Sequence, residues 1–326
     1  MRIQPEKIKN ILCVRNDRFG EFLLNIPALR ALKETFAGAK ITMAIDPYLE
    51  DLAKSIPLID EIIKWEGLRH SLFQKLGLVS LLKKKNMDMA VILNPSKEFN
   101  IITYLAGIPV RVGYARKWGF LLTHAIEDKK YLGKMHEIEY NLELVSLIGA
   151  STESKALSLN IDERIGNSLL KDYNIKNDDI LVALHPWTSD PVKLWPLERF
   201  QEVAHKLTQE LNIKVLVVGG KMELDKGKGL FGEEGKLINM TGKTTLSELA
   251  AFLKRCNLLI SGDSGPVHLA CAVGTPVLAL FRNDLPGKTA KRWGPWGGAN
   301  LVIEKDSLYG ITVDEVMDKA REILKR

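Results

Sequence analysis

Four short stretches of the chain set chemically able side chains beside glycines or helix-start residues. In RNDRFGE, the carboxylates Asp17 and Glu21 fall in one turn, with Gly20 directly before Glu21. A carboxylate there suits removal of a proton from a hydroxyl; its plainer role is an acid favoured by the dipole of the helix that begins there. HPWTSDPVKLWP offers the hydroxyls of Thr188 and Ser189 and the ammonium of Lys193, a set that suits phosphate oxygens. A loop lysine taken alone is more often simply solvated. In VVGGKMELD, Gly219 and Gly220 let backbone approach a ligand, and Glu223 can accept hydrogen bonds from ribose hydroxyls; an ordinary glycine turn explains the same residues. GDSGPVHLA is the strongest. Asp263 and Ser264 are N-cap types, Gly265 is small, Pro266 suits a first helical turn and His268 lies on that turn. Free amides at such a helix start form an anion site. A well-capped turn with His268 in the core accounts for the caps, but not for the matching polar clusters elsewhere. A fifth stretch, FRNDLPGKTAKRWGPWGG, reads as a flap or an irregular surface loop.

These clusters need strand ends to hold them, and the apolar pattern supplies the strands. In the first half, strands are expected at Ile8–Val14, Ile41–Ile45, Glu61–Trp65, Met89–Leu93 and Val110–Gly113, with helices around Phe22–Thr35, Tyr48–Ser55, Leu72–Lys84, Phe99–Ala106 and His136–Ile148. The second half repeats the scheme. Its strands are expected at Ile180–Leu184, Lys214–Val218, Leu237–Met240, Leu258–Ile260 and Pro276–Phe281, with helices after Trp195, Leu246, Gly265 and Thr312. The pattern is α/β, with doubly wound parallel sheets in two domains, so function is expected in a cleft at the carboxyl ends of the strands. The polar stretch LNIDERIGNSLLKDYNIKNDD sets the domain joint near residue 165.

A chain of 326 residues has material for two cores. It opens on MRIQPEKIKN, without the apolar core of a signal peptide, and no apolar run is long enough to span a bilayer. A cytoplasmic protein is expected. Cys13, Cys256 and Cys271 lie in apolar stretches without C-x-x-C spacing, which argues for core thiols over a zinc site or disulfides. No metal-ligand cluster, P-loop or G-x-G-x-x-G turn is present, and no nucleic acid partner is expected. Of the net charge of +6, residues 1–160 carry 23 Lys plus Arg against 18 Asp plus Glu, and the remainder 23 against 22. The first half therefore leans toward an anionic partner, although so small an excess also fits a solvated face. SLFQKLGLVSLLKKK and ARKWGFLL suit peripheral contact with a membrane surface, but core-facing packing accounts as well for most of their apolar residues.

Together, RNDRFGEFLLNIPALRALK, RVGY, HEIEYNLELVSLIGA, HPW with VKLWPLERF, VVGG with its following Glu, GDSGPVHLACAVGTPVLALF and RWGPWG resemble glycosyltransferase family 9, the ADP-heptose:lipopolysaccharide heptosyltransferases, over essentially the whole chain. The resemblance implies a GT-B fold of two Rossmann-like domains facing a central cleft. Residues 1–165 would bind the acceptor and 166–311 the nucleotide-sugar, with helix 312–326 packed back on the first domain. It also implies metal-independent, inverting transfer of a heptose from ADP-heptose to the inner core of lipopolysaccharide, without a cofactor. Thr188, Ser189 and Lys193 would hold the diphosphate, Glu223 the ribose, and Asp263, Ser264, Gly265 and His268 the diphosphate and transferred sugar; Thr244 would lie by the adenine. Glu21 stands where the family usually has Asp. It is the expected base, with Asp17 as its competitor. Arg15, Arg18, Arg111, Arg116 and Lys117 are the expected contacts to the anionic acceptor.

Three other classes share features of this pattern. A nucleotide-sugar epimerase would convert the donor with no acceptor present. A two-lobed solute-binding protein would turn nothing over. A non-catalytic nucleotide-sugar-binding protein would bind ADP and fail every transfer assay.

Overall fold

The computed structural model describes residues 3–66, 70–231 and 235–325. The chain divides into two compact units, Met1–Ala156 and Leu157–Arg326. In unit 1, β1 (Asn10–Val14), β2 (Lys40–Ile45), β3 (Glu61–Lys64), β4 (Met89–Ile92), β5 (Val110–Tyr114) and β6 (His124–Ile126) form a parallel sheet in the order β3-β2-β1-β4-β5-β6. The central strands are continuous apolar runs because both faces of a parallel sheet are covered. Every residue of β1 after Asn10 is buried. The connections carry α1 (Phe19–Leu23), α2 (Ile26–Thr35), α3 (Glu50–Lys54), α4 (Leu72–Lys84), α5 (Lys97–Leu105) and α6 (Glu137–Ser146).

The expected single helix Phe22–Thr35 is two. Pro27 has no amide to donate to Leu23, and the Asn25 side chain donates instead to the carbonyls of Glu21 (2.6 Å) and Phe22 (3.2 Å). α1 is therefore a short turn that sets Glu21 apart from the longer helix. On α4, Leu78, Val79 and Leu82 are buried, whereas Leu72, Phe73, Leu76 and Leu81 are exposed.

Unit 2 begins with α7 (Glu163–Asp172), inside the stretch expected to be the joint. Gly166 permits it: a Cβ there would stand 3.2 Å from the Ala251 carbonyl oxygen, the point where α7 meets a later helix. There follow β7 (Leu181–His185), α8 (Leu197–Gln209), β8 (Lys214–Val217), α9 (Leu224–Leu230), β9 (Leu237–Asn239), α10 (Leu246–Arg255), β10 (Leu258–Gly262), α11 (Gly265–Val273), β11 (Val277–Arg282), α12 (Ala290–Trp293), β12 (Leu301–Lys305) and α13 (Val313–Leu324). The sheet is parallel, in the order β12-β11-β10-β7-β8-β9. Numbered from its own first strand, that is the order of unit 1.

α13 corrects one expectation. Its apolar stripe, Val313, Val316, Met317, Ala320 and Ile323, belongs to the core of unit 2 with Val182, Leu184, Phe200 and Ile260, and it packs on α8, β10 and β11. Spacing of three and four residues gives one apolar face, and the sheet of unit 2 takes it up. Cys13 and Cys256 are buried free thiols, and Cys271 is a partly buried one.

Candidate functional site

In a doubly wound sheet, the strand order reverses at one crevice and leaves the adjoining carboxyl ends uncovered. That crevice lies between β1 and β4 in unit 1, and between β7 and β10 in unit 2.

At the crevice of unit 1, Arg15 follows β1 and is buried. Its guanidinium donates to Asp17 Oδ1 at 2.6 Å and to the Leu93 carbonyl, just past β4, at 3.3 Å; Glu137 Oε1 lies 3.6 Å away. Glu137, at the first position of α6, also accepts from Lys130 at 2.6 Å, and Lys130 donates to Asn141 Oδ1 at 3.2 Å. The Asn141 amide donates to the Leu24 carbonyl at the break between α1 and α2. Buried cations and one buried acid thus fix the turn that carries Glu21. Burial raises the Glu21 carboxyl above its ordinary value; the Arg15 guanidinium opposes this and the Asp17 carboxylate reinforces it. Asp17 is braced further by the Tyr48 hydroxyl, which donates to its backbone carbonyl at 2.9 Å.

The other expected acceptor contacts are dispersed. Arg18 is the exposed residue before α1. Arg111 donates to the carbonyls of Leu121 (2.8 Å) and Ile108 (2.5 Å) and lies over the Tyr104 ring, so it braces its own loop. Arg116 pairs with Asp128 at 2.7 Å, and Lys117 donates to the Pro95 carbonyl at 3.0 Å.

In unit 2, the loops after β7 and β10 come together. Lys193 Nζ lies 2.5 Å from Asp263 Oδ2, both being largely buried. The backbone that carries Lys193 is held on two sides: Asp190 caps the turn Pro191–Lys193 and pairs with Lys288 at 2.8 Å, and Arg282 donates to the Val192 carbonyl at 3.1 Å. Thr188 Oγ1 accepts from the Asp190 amide at 3.2 Å, and Ser189 is exposed beside it. Ser264, the residue before α11, hydrogen-bonds Ser261 Oγ at 2.8 Å and makes no capping bond. The first amides of α11 therefore lack a side-chain cap from it. His268 is buried on the first turn. Glu223 ends the turn after Gly219 and Gly220, past β8; a Cβ on Gly219 would meet the Trp187 ring at 2.5 Å, so that glycine lets two strand-end loops pack together. Thr244 follows β9, partly exposed. Among the described residues, no group of three His, Cys, Asp or Glu could hold a metal ion.

The model of glycosyltransferase family 9 (heptosyltransferase) matches residues 75–310. The chain belongs to glycosyltransferase family 9. This glycosyltransferase is 25% identical to lipopolysaccharide heptosyltransferase 3 of Escherichia coli over 293 residues, 85% of this chain and 82% of that one. In fold it is similar to the crystal structure of a family 9 glycosyltransferase from Veillonella parvula (TM-score 0.86, 24% identity, covering 100% of this chain and 99% of that one). It is also similar to the E. coli ADP-heptose lipopolysaccharide heptosyltransferase II (TM-score 0.84, 20% identity, 97% and 98%). The two Rossmann-type units are those of the GT-B fold.

Three buried groups next to the candidate residues are not singled out by the sequence. Lys130 and Glu137 in unit 1, and His185 in unit 2, are buried titratable groups beside the assigned ones. Their one signal is a charged or imidazole side chain next to apolar positions. His185 Nδ1 lies 3.2 Å from Ser261 Oγ, and burial pushes the imidazole down to about 4, so it is neutral at neutral pH and bridges β7 to β10 without charge.

Proposed function

We propose that this chain transfers a heptose from ADP-heptose to the inner core of lipopolysaccharide with inversion, on the cytoplasmic side of the membrane. The observation that carries the reading is the Lys193–Asp263 pair at the crevice of unit 2, 2.5 Å apart and beside the start of α11. An ammonium beside the start of a helix offers positive potential to a diphosphate without a metal ion. ADP-heptose is the donor named for the E. coli heptosyltransferase II of the same fold.

In the proposed reaction, unit 2 holds the donor. Thr188, Ser189, Lys193, Ser264 and the Gly265 amide take the diphosphate, Glu223 the ribose, Thr244 the adenine edge, and Asp263 and His268 the sugar. Glu21 removes the proton from an acceptor hydroxyl as its oxygen forms the bond to the anomeric carbon. The bond from that carbon to the diphosphate oxygen breaks, and ADP leaves with the electron pair, its charge met by Lys193 and α11. Arg18, Arg116 and Lys117 face the anionic acceptor; Arg15 acts behind Asp17 and Glu21. Membership of a transferase family favours this over epimerisation of the donor.

The test is a panel of nucleotide-sugars and lipopolysaccharide fragments with released nucleotide as readout. ADP is expected only when ADP-heptose and a core acceptor are both present, and a chelator is expected to leave the rate intact. Conversion of the donor without an acceptor would turn the assignment to an epimerase.

A further inference from the structure

The helix α4 is built unlike its neighbours. Its inward side is ordinary, with Leu78, Val79 and Leu82 buried against unit 1. Its outward side carries Leu72 (70% exposed), Phe73 (87%) and Leu76, followed two turns later by the exposed Lys83 and Lys84. Helical spacing puts Leu72, Leu76 and Lys83 on one stripe, with Phe73 and Lys84 on the next. The helix holds no Asp or Glu. A firm start is provided by Ser71 and Gln74, which form a capping box, so the side chains are presented from an ordered element.

The surface continues beyond α4. Lys75 lies 3.4 Å from Glu98 on α5, and the preceding residue, Lys97, stands over the Trp118 ring at 4.2 Å. Trp118 is 5.8 Å from Phe120, which is 78% exposed. Lys117 and Trp118 both have left-handed backbone, at φ 49° and 69°, a conformation costly for side-chain-bearing residues. It is held by the Asn100 amide, which donates to the Lys117 carbonyl at 3.0 Å. Backbone strain is thus maintained in a turn that turns Trp118 and Phe120 outward.

We propose that this face of unit 1, centred on Leu72, Phe73, Leu76 and Phe120 and edged by Lys83, Lys84 and Lys97, docks on a bilayer surface rich in anionic headgroups. Aliphatic side chains enter the acyl boundary, an aromatic side chain sits at headgroup level, and lysines meet phosphate. Nucleic acid fits poorly, because leucines do not stack on bases. A second copy of this chain also fits poorly: a twofold contact sets a patch against itself, and this one would bring like charges together. The inference does not depend on the donor assignment.

The experiment is co-sedimentation of the full chain with vesicles of phosphatidylcholine, alone or with added phosphatidylglycerol. The chain is expected to bind the anionic vesicles and to release them as salt rises. Phe73→Glu with Leu76→Glu is expected to lower the vesicle-bound fraction at least about tenfold, with an unchanged circular-dichroism melt showing that the fold is kept. Lys83→Ala with Lys84→Ala should weaken binding and flatten its salt dependence. Absence of wild-type binding to anionic vesicles, or wild-type binding by the double-glutamate variant, overturns the proposal. So does a concentration-dependent dimer that the same variant abolishes, which would give the face to a second copy.

Discussion

Glu21 and Lys193 carry charges of opposite sign, and their removal reads out differently. A base must be ionised, and burial raises the Glu21 carboxyl, so turnover is expected to rise with pH through a midpoint above the ordinary carboxylate value. Glu21→Gln should lower kcat by about 10² to 10⁴ with ADP affinity unchanged. Stability moves the other way. The folded chain holds this proton more tightly than the unfolded one, so the contribution is complete below the unfolded pKa and lost as pH rises through the folded one. At neutral pH the variant should therefore melt at the same temperature as wild type or higher. Wild-type turnover in Glu21→Gln beside an inactive Asp17→Asn would move the base to Asp17. For Lys193→Ala, ADP binding should weaken by about 1.5 to 3 kcal/mol in calorimetry, because the cation is lost beside the Asp263 carboxylate, which then faces the diphosphate. Unchanged affinity would take Lys193 out of the site. Residue type, with an adjoining glycine for Glu21 and Asp263, made these and Lys193 legible in the sequence as candidates. Their partners were not, since the Lys193–Asp263 pair depends on β7 lying beside β10, and pairing across a sheet leaves no local trace.

Among the elements, legibility followed burial. β1, β4, β7 and β10 each hold an unbroken apolar run of three or four residues because helices cover both faces, and they stood out as strands. β6 has three residues, none of them buried, and β12 alternates between half-buried and exposed at a sheet edge; neither offers a run to read. α7 was hidden for another reason. Gly166 looks like a breaker in sequence and is a contact point in the structure. The split between α1 and α2 depends on an Asn25 side chain taking carbonyls that a continuous helix would use. The stripe of α13 was visible but its destination was not, since amphipathicity says that a face is buried without saying against what. Met317→Ala tests that destination. It removes a buried side chain from the core of unit 2 and should cost about 2 to 5 kcal/mol in chemical denaturation, with unit 1 unaffected. A loss of under about 0.5 kcal/mol, the scale of a surface substitution, would contradict the packing of this helix.

On the scale of the molecule, two units repeat one strand order, and the proposed reaction divides its chemistry between them. Amide exchange distinguishes the shares: saturating ADP should protect the loops 185–193, 219–223 and 262–268 of unit 2 and leave the loop 15–21 of unit 1 at its unliganded rate. Protection confined to unit 1 would reverse the assignment of donor and acceptor. The two units also differ in how early their cores can close. Unit 1 finds its partners within Met1–Ala156, whereas the sheet of unit 2 receives Val316, Met317, Ala320 and Ile323 from a helix that follows all of its strands. Synthesis runs from the amino end and domains fold as units. On the ribosome, unit 1 can therefore finish folding while unit 2 still presents the bare apolar face that α13 will cover. A message cut short before codon 313 leaves that face open, in a nascent chain prone to aggregate and in need of a chaperone.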